Sequence, residues 1–134
     1  MRNVTSLGVL GLLLLAGCCP LRRMCPCHAP TVQGKLRHVV LFRFKADATP
    51  QQIKAIEDGF RALPAKTGGV RAFEWGTDVS PEKLSDGFTH CFLVTFDTAA
   101  ARDAYLPHPA HKAFVEQLKP ILDKVLVVDY VAKK

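Results

Sequence analysis

The sequence predicts an α+β fold of order β-α-β-β-α-β, and three observations carry it. Four β-branched and aromatic runs are separated by segments of other periodicity. Two of those intervening segments repeat apolar residues at helical spacing. Proline and glycine clusters punctuate the boundaries.

The first strand is His38 to Lys45, His-Val-Val-Leu-Phe-Arg-Phe-Lys. Thr49-Pro50-Gln51-Gln52 then opens a helix: Thr49 can cap it, Pro50 suits the first turn, and Gln52 stands where a capping box needs it. Ile53, Ile56, Phe60 and Leu63 form one apolar face, and Pro64 with Gly68-Gly69 is expected to end the helix. Val70 to Thr77 is the second strand, residues 78–88 a polar loop, and Thr89 to Phe96 the third strand. Thr98 begins a helical stretch through Tyr105. Pro107 and Pro109 interrupt it, and it resumes from Ala110 to Leu122 with Phe114, Leu118 and Ile121 on one face. Val125 to Val131 is the last strand. This order is the ferredoxin-like arrangement, an antiparallel sheet with its helices on one face.

The strand faces predict a partner. His38, Val40, Phe42 and Phe44 point one way, and Val39, Leu41 and Arg43 the other; His90, Phe92, Val94 and Phe96 oppose Cys91 and Leu93. The last strand is apolar on both sides. A sheet with one wet face should alternate cleanly between apolar and polar residues. The helices cover one face only, so a second copy of the sheet is expected on the other, making a homodimer. Cys91 reads as a small buried hydrophobe.

Ahead of this domain, Val4 to Ala16 is an apolar run after a weakly basic start at Arg2. It is too short to span a bilayer core and has the length of a signal-peptide apolar region. It ends in Leu15-Ala16-Gly17-Cys18, which resembles the bacterial lipoprotein signal. The expectation is a cleaved signal peptide at residues 1–17 and lipid on Cys18. That would anchor the chain in the membrane of a cell envelope, facing the periplasm or the exterior. Residues 18–35 read as a linker, since Pro20, Pro26 and Pro30 oppose a helix. Cys19, Cys25, Cys27 and His28 lie in it. Thiolates and an imidazole could form half a metal site, but no second pair follows. Redox pairing or further acylation of Cys19 is the other reading. No metal or other cofactor is expected.

The net charge is +6. Loss of residues 1–17 leaves 17 basic residues against 12 acidic ones, or +5. The basic residues are scattered rather than gathered on a helix or an aromatic-interleaved stripe. Nucleic-acid binding is therefore excluded in favour of solubility and affinity for anionic lipid headgroups.

The candidate site lies in the histidines. His38 and His90 each open a strand and are expected near one end of the sheet, facing the same layer. Tyr105, His108 and His111 fall around the helix break, where both imidazoles could enter one cleft. Imidazoles exchange protons near neutral pH, and a tyrosine hydroxyl can orient a carbonyl. A three-histidine metal site is the competing reading, weakened because no acidic residue is evident to orient the rings.

Taken together, several motifs resemble the stress-responsive α/β-barrel (Dabb) domain family over residues 36–132. They are Arg37-His38-Val39-Val40-Leu41-Phe42-Arg43-Phe44-Lys45, Trp75-Gly76-Thr77-Asp78, Gly87-Phe88-Thr89-His90, Tyr105-Leu106-Pro107-His108-Pro109-Ala110-His111 and Val128-Asp129-Tyr130. The resemblance implies a dimer that closes a β-barrel. It is more distant to the plant branch containing olivetolic acid cyclase, which closes a polyketide without a cofactor. On that likeness His111 and Tyr105 are the catalytic candidates and His38 and His90 line the pocket. A pocket tyrosine of that branch falls on Phe60, so this chain lacks its hydroxyl. Two functions follow. One is a stress-associated envelope protein whose pocket holds an apolar or carbonyl-bearing small molecule. The other is a cofactor-independent enzyme of aldol or cyclase type using His/Tyr acid–base chemistry.

Overall fold

The computed structural model describes residues 34–133. The expected signal peptide, the lipidation site Cys18, and Cys19, Cys25, Cys27 and His28 lie outside the described residues. Strands β1 (Leu36–Phe44), β2 (Val70–Thr77), β3 (His90–Phe96) and β4 (Leu122–Val131) form one antiparallel sheet of order β2-β3-β1-β4. Helices α1 (Pro50–Thr67), α2 (Ala99–Tyr105) and α3 (Pro109–Leu118) complete a ferredoxin-like fold. Among the described residues, no helix is long and apolar enough to cross a membrane.

Helix α1 starts where its side chains can satisfy free backbone donors. Thr49 accepts from the Gln52 N–H at 3.3 Å, and Gln52 Oε1 accepts from the Thr49 N–H at 2.8 Å. Ile56, Phe60 and Leu63 are its buried stripe. Of the two expected stop signals, Pro64 lies inside the helix, which runs to Thr67 and ends at the Gly68-Gly69 pair. A proline this late leaves only the Phe60 carbonyl without its helical N–H donor, and two other donors close the turn that follows. The Thr67 hydroxyl donates to the Leu63 carbonyl at 2.8 Å, and the Gly68 N–H to that of Pro64 at 3.3 Å. Termination falls to Gly68 and Gly69, at φ 67° and 69°, a region glycine enters without a Cβ penalty.

The core is aromatic. Phe60 of α1 lies flat on Phe92 of β3, with centroids 4.3 Å apart and planes 4° apart. Phe42 of β1 leans on Phe92 at 5.2 Å, and Phe114 of α3 meets Phe60 edge-on at 5.1 Å. Such pairs add roughly 0.5–1.5 kcal/mol each beyond burial, so this cluster ties two helices to the two central strands.

Several boundary expectations change, including the end of β1 at Phe44 rather than Lys45 and the start of β3 at His90 rather than Thr89. Helix α3 ends at Leu118 rather than Leu122, β4 begins at Leu122 rather than Val125, and β1 begins at Leu36. Pro120 blocks further helix, and Leu122 pairs with Phe44 past a register shift in β1. Cys91 is exposed, not buried. It belongs to the sheet face that carries no helix, with Val39 and Leu93. That face is apolar along β4 as well: Leu126 and Val128 are 45% and 47% exposed, paired with Leu41 and Val39. Partial desolvation by its neighbours pushes the Cys91 thiol above its ordinary value, and the Glu74 carboxylate adds to this.

Candidate functional site

Antiparallel pairing decides which histidines meet. His38 stands opposite Val94, whereas His90 stands opposite Phe42. The two strand-opening histidines are therefore at opposite ends of the pairing, roughly 14 Å apart along the strand at about 3.4 Å per residue. This corrects the expectation of one end. His90 is instead held locally. Its Nδ1 lies 2.8 Å from Thr89 Oγ1 and its Nε2 3.1 Å from Glu57 Oε1, while Phe44 packs edge-on at 5.1 Å.

His38 meets the second helical region. Its Cα pairs across the sheet with Asp129 of β4, and its Nδ1 lies 2.7 Å from Asp129 Oδ1. The other oxygen of Asp129 accepts from Arg102 of α2, whose Nε donates to Asp103 at 2.7 Å. An acidic residue does orient an imidazole here, which the sequence reading missed. A signal was present: Asp129 is the lone charge between Val128 and Tyr130 in an apolar strand. Burial, and then the nearby Arg102 guanidinium, hold His38 below the ordinary histidine value. A neutral His38 donates Nδ1–H to Asp129, leaving Nε2 as the free acceptor.

The proline break builds the other half. Pro107 and Pro109 stop α2 at Tyr105 and start α3 at Pro109. His108 caps α3, its Nδ1 accepting from the Ala110 N–H at 3.1 Å. In a continuous helix that N–H would bond the Leu106 carbonyl. Left free, the Leu106 carbonyl accepts from His111 Nδ1–H at 2.9 Å. The His111 Nε2 then carries the lone pair. Burial holds His111 below its ordinary value; the Leu106 carbonyl opposes this, and the neighbouring His38 adds to it.

Tyr105 is buried beside both rings, its centroid 4.6 Å from that of His111 and 6.3 Å from that of His38. The contact is ring against ring, and no hydrogen bond joins its hydroxyl to His111. Burial pushes its phenol well above the ordinary tyrosine value, so it stays protonated.

Between sheet and helices is a cavity of about 300 Å³ lined by His38, Val40, Phe42, Phe60, Leu106, His111, Val115, Leu118, Leu122, Val125, Val127 and Asp129. His38, His111 and Phe60 thus come together on an apolar wall. His90, His108 and the Tyr105 ring do not line it. A larger hollow of about 400 Å³ lies on the helix-free face, lined by Val39, Glu74, Trp75, Gly76, Cys91, Leu93 and Tyr130. It has no imidazole. The smaller cavity brings two imidazoles and a carboxylate together, whereas His90 lines a separate hollow of about 220 Å³ with Asp78 and Cys91. Among the described residues no three His, Cys, Asp or Glu side chains are grouped to hold a metal ion.

Residues 36–132 match the Stress responsive A/B Barrel Domain (Dabb) family. The chain is 41% identical over 98 residues to the stress-response A/B barrel domain-containing protein HS1 of Arabidopsis thaliana, covering 73% of this chain and 90% of the relative. It is 27% identical over 99 residues to olivetolic acid cyclase of Cannabis sativa, covering 74% and 98%. Its fold is similar to that of the hydroxynitrile lyase from Passiflora edulis, with TM-score 0.70 and 28% identity over 75% of this chain and 94% of that one. It is also similar to a dimeric ferredoxin-like protein of unknown function from Bacteroides fragilis NCTC 9343, with TM-score 0.61 and 27% identity over 74% and 97%. The match covers between 90% and 98% of the length of each of these four relatives. The match spans the whole sheet and every helix: the chain belongs to the stress-responsive A/B barrel (Dabb) family.

Proposed function

We propose that this chain is a lipid-anchored envelope protein whose helix-side cavity binds an apolar, carbonyl-bearing small molecule that also carries a hydroxyl or other donor for the two free Nε2 atoms to accept. The observation that carries the reading is the cavity itself: an apolar wall of about 300 Å³ broken by two imidazoles and one carboxylate. Pockets that bind small molecules have this composition, mostly apolar with a few convergent polar groups. The working unit is a homodimer packed through the helix-free face. The apolar surface there, and the dimeric ferredoxin-like relative, support it. The anchor rests on the Leu15-Ala16-Gly17-Cys18 pattern.

Native mass spectrometry of untagged residues 34–134 tests the pocket and the dimer together. The expected result is a dimer carrying a co-purified small molecule. A bare protein whose melting temperature no apolar carbonyl compound shifts would sink the pocket, and a monomer would sink the dimer. Mass analysis of the full chain from a bacterial membrane fraction tests the anchor. Cleavage before Cys18 with acyl mass on it is expected; an intact Met1 terminus would overturn it.

A second reading, catalysis, is favoured by the orientation of His111. Its Nδ1–H is committed to the Leu106 carbonyl, so Nε2 is available as a general base. It would take a proton from the carbon beside the ligand's carbonyl, and the electron pair would pass to the carbonyl oxygen as an enolate. Likeness to a cyclase is in keeping with this. Turnover of an aldol test substrate, lost in His111→Ala, is the expected signature.

A further inference from the structure

The Asp129 carboxylate has both oxygens engaged, one by an imidazole on β1 and one by a guanidinium on α2. We infer that Arg102 is a positioning residue for the cavity: by occupying one oxygen of Asp129 it keeps His38 a neutral Nδ1–H donor to the other, with Nε2 a bare acceptor. This deepens the proposed pocket and concerns the same site.

The geometry supplies the reason. A lone carboxylate 2.7 Å from a buried imidazole would favour the imidazolium, giving an ion pair. That imidazolium would have a donor at both nitrogens and nothing left to accept with. A guanidinium on the same carboxylate offsets its charge and disfavours a second cation beside it. Arg102 does not itself line the cavity, whereas His38 and Asp129 do. Its influence on a ligand therefore passes through them. The ionisable groups around His38 are Asp129 from β4, Arg102 and Tyr105 from α2, and His111 from α3. Tyr105 stays protonated, and a protonated His111 would only oppose a charge on His38. Asp103, on the far side of Arg102, holds the guanidinium through Nε. Arg102 and Asp129 are the charged pair in that shell, and the direction in which burial and Arg102 move His38 agrees with the inference.

The test is a pH titration of the His38 ring by NMR, assigned with His38→Asn, in the wild-type protein and in Arg102→Gln and Arg102→Lys. In the wild type, His38 should be neutral at pH 7 with the proton on Nδ1, read from its ring nitrogen shifts. Arg102→Gln should raise the His38 midpoint, and Arg102→Lys should leave it near the wild-type position because the charge remains. An unmoved midpoint in folded Arg102→Gln, or an equal rise in both variants, would overturn the inference. So would an Nε2–H tautomer in the wild type, which needs no variant to fold. None of these readouts involves a ligand. An empty cavity would therefore defeat the pocket while leaving this arrangement intact.

Discussion

His111 donates its Nδ1–H to the carbonyl of Leu106, five residues before it, at 2.9 Å. The contact exists because His108 has taken the Ala110 N–H that would otherwise satisfy that carbonyl. Replacing His111 with Ala should therefore abolish any acid–base turnover and weaken ligand binding. The fold should change little, because His111 is only half-buried and its net hydrogen bond is worth roughly 1 kcal/mol. A ligand-induced shift in melting temperature, compared between the two proteins, reads the first effect, and urea unfolding reads the second. Equal ligand shifts in both would remove His111 from the site.

Stability should fall as the pH drops from about 7 through the histidine range. His38 and His111 are both held below the ordinary value of 6.5 in the folded chain, chiefly by burial. Between the folded and unfolded midpoints the unfolded chain binds more protons, so stability rises with pH across that window and levels off above it. Denaturation midpoints measured at intervals across this range check the sign. A flat profile in the wild type would mean that these imidazoles are not buried as described. The double variant His38→Asn/His111→Asn should flatten it.

Phe92 is fully buried and touches Phe42, Phe60, Phe73 and Trp75. Phe92→Ala should cost about 3–5 kcal/mol, the usual range for an emptied aromatic core position. Chemical unfolding monitored by Trp75 fluorescence gives the value; a loss under about 1 kcal/mol would mean that the stack contributes little.

Gly87 has φ 78°, and a Cβ built on it would lie 2.8 Å from Cδ of Arg43. Gly87→Ala should destabilise by about 1–2 kcal/mol from the left-handed backbone alone. It should also disturb Arg43, which donates to Asp123 and to the Asp86 carbonyl. Measuring the cost of Gly87→Ala in the wild type and again in an Arg43→Ala background separates the two contributions, since only the steric part should vanish in the second.

Val128 lies on the helix-free face, opposite Val39. Val128→Glu should weaken the proposed dimer at least roughly tenfold, because burying an unpaired carboxylate costs several kcal/mol. Sedimentation velocity over a concentration series checks this; an unchanged distribution would move the interface elsewhere.

The sequence by itself determined what depends on near neighbours. The capping box at Thr49 and Gln52, the Ile56-Phe60-Leu63 stripe, the alternation of His38, Val40 and Phe42, and the proline break before α3 are all short-range patterns. Each was legible because helical and strand periods and turn chemistry act within a few residues. Pro64 and Gly68-Gly69 were both legible as stop signals, and the glycines decide: a late proline costs one hydrogen bond, while Thr67 and Gly68 still close the last turn on the Leu63 and Pro64 carbonyls. The site needed more. His38 and Asp129 are far apart in the chain and meet only through the register of β1 on β4, and His90 is parted from His38 only by the antiparallel direction of β3. Arg102 joins them from a helix whose packing no local pattern encodes. Which imidazole finds a carboxylate, which carbonyl is left for another, and which cysteine faces outward are consequences of strand order and layer. Those are decided by the summed burial of the whole core, and only the tertiary structure holds that sum.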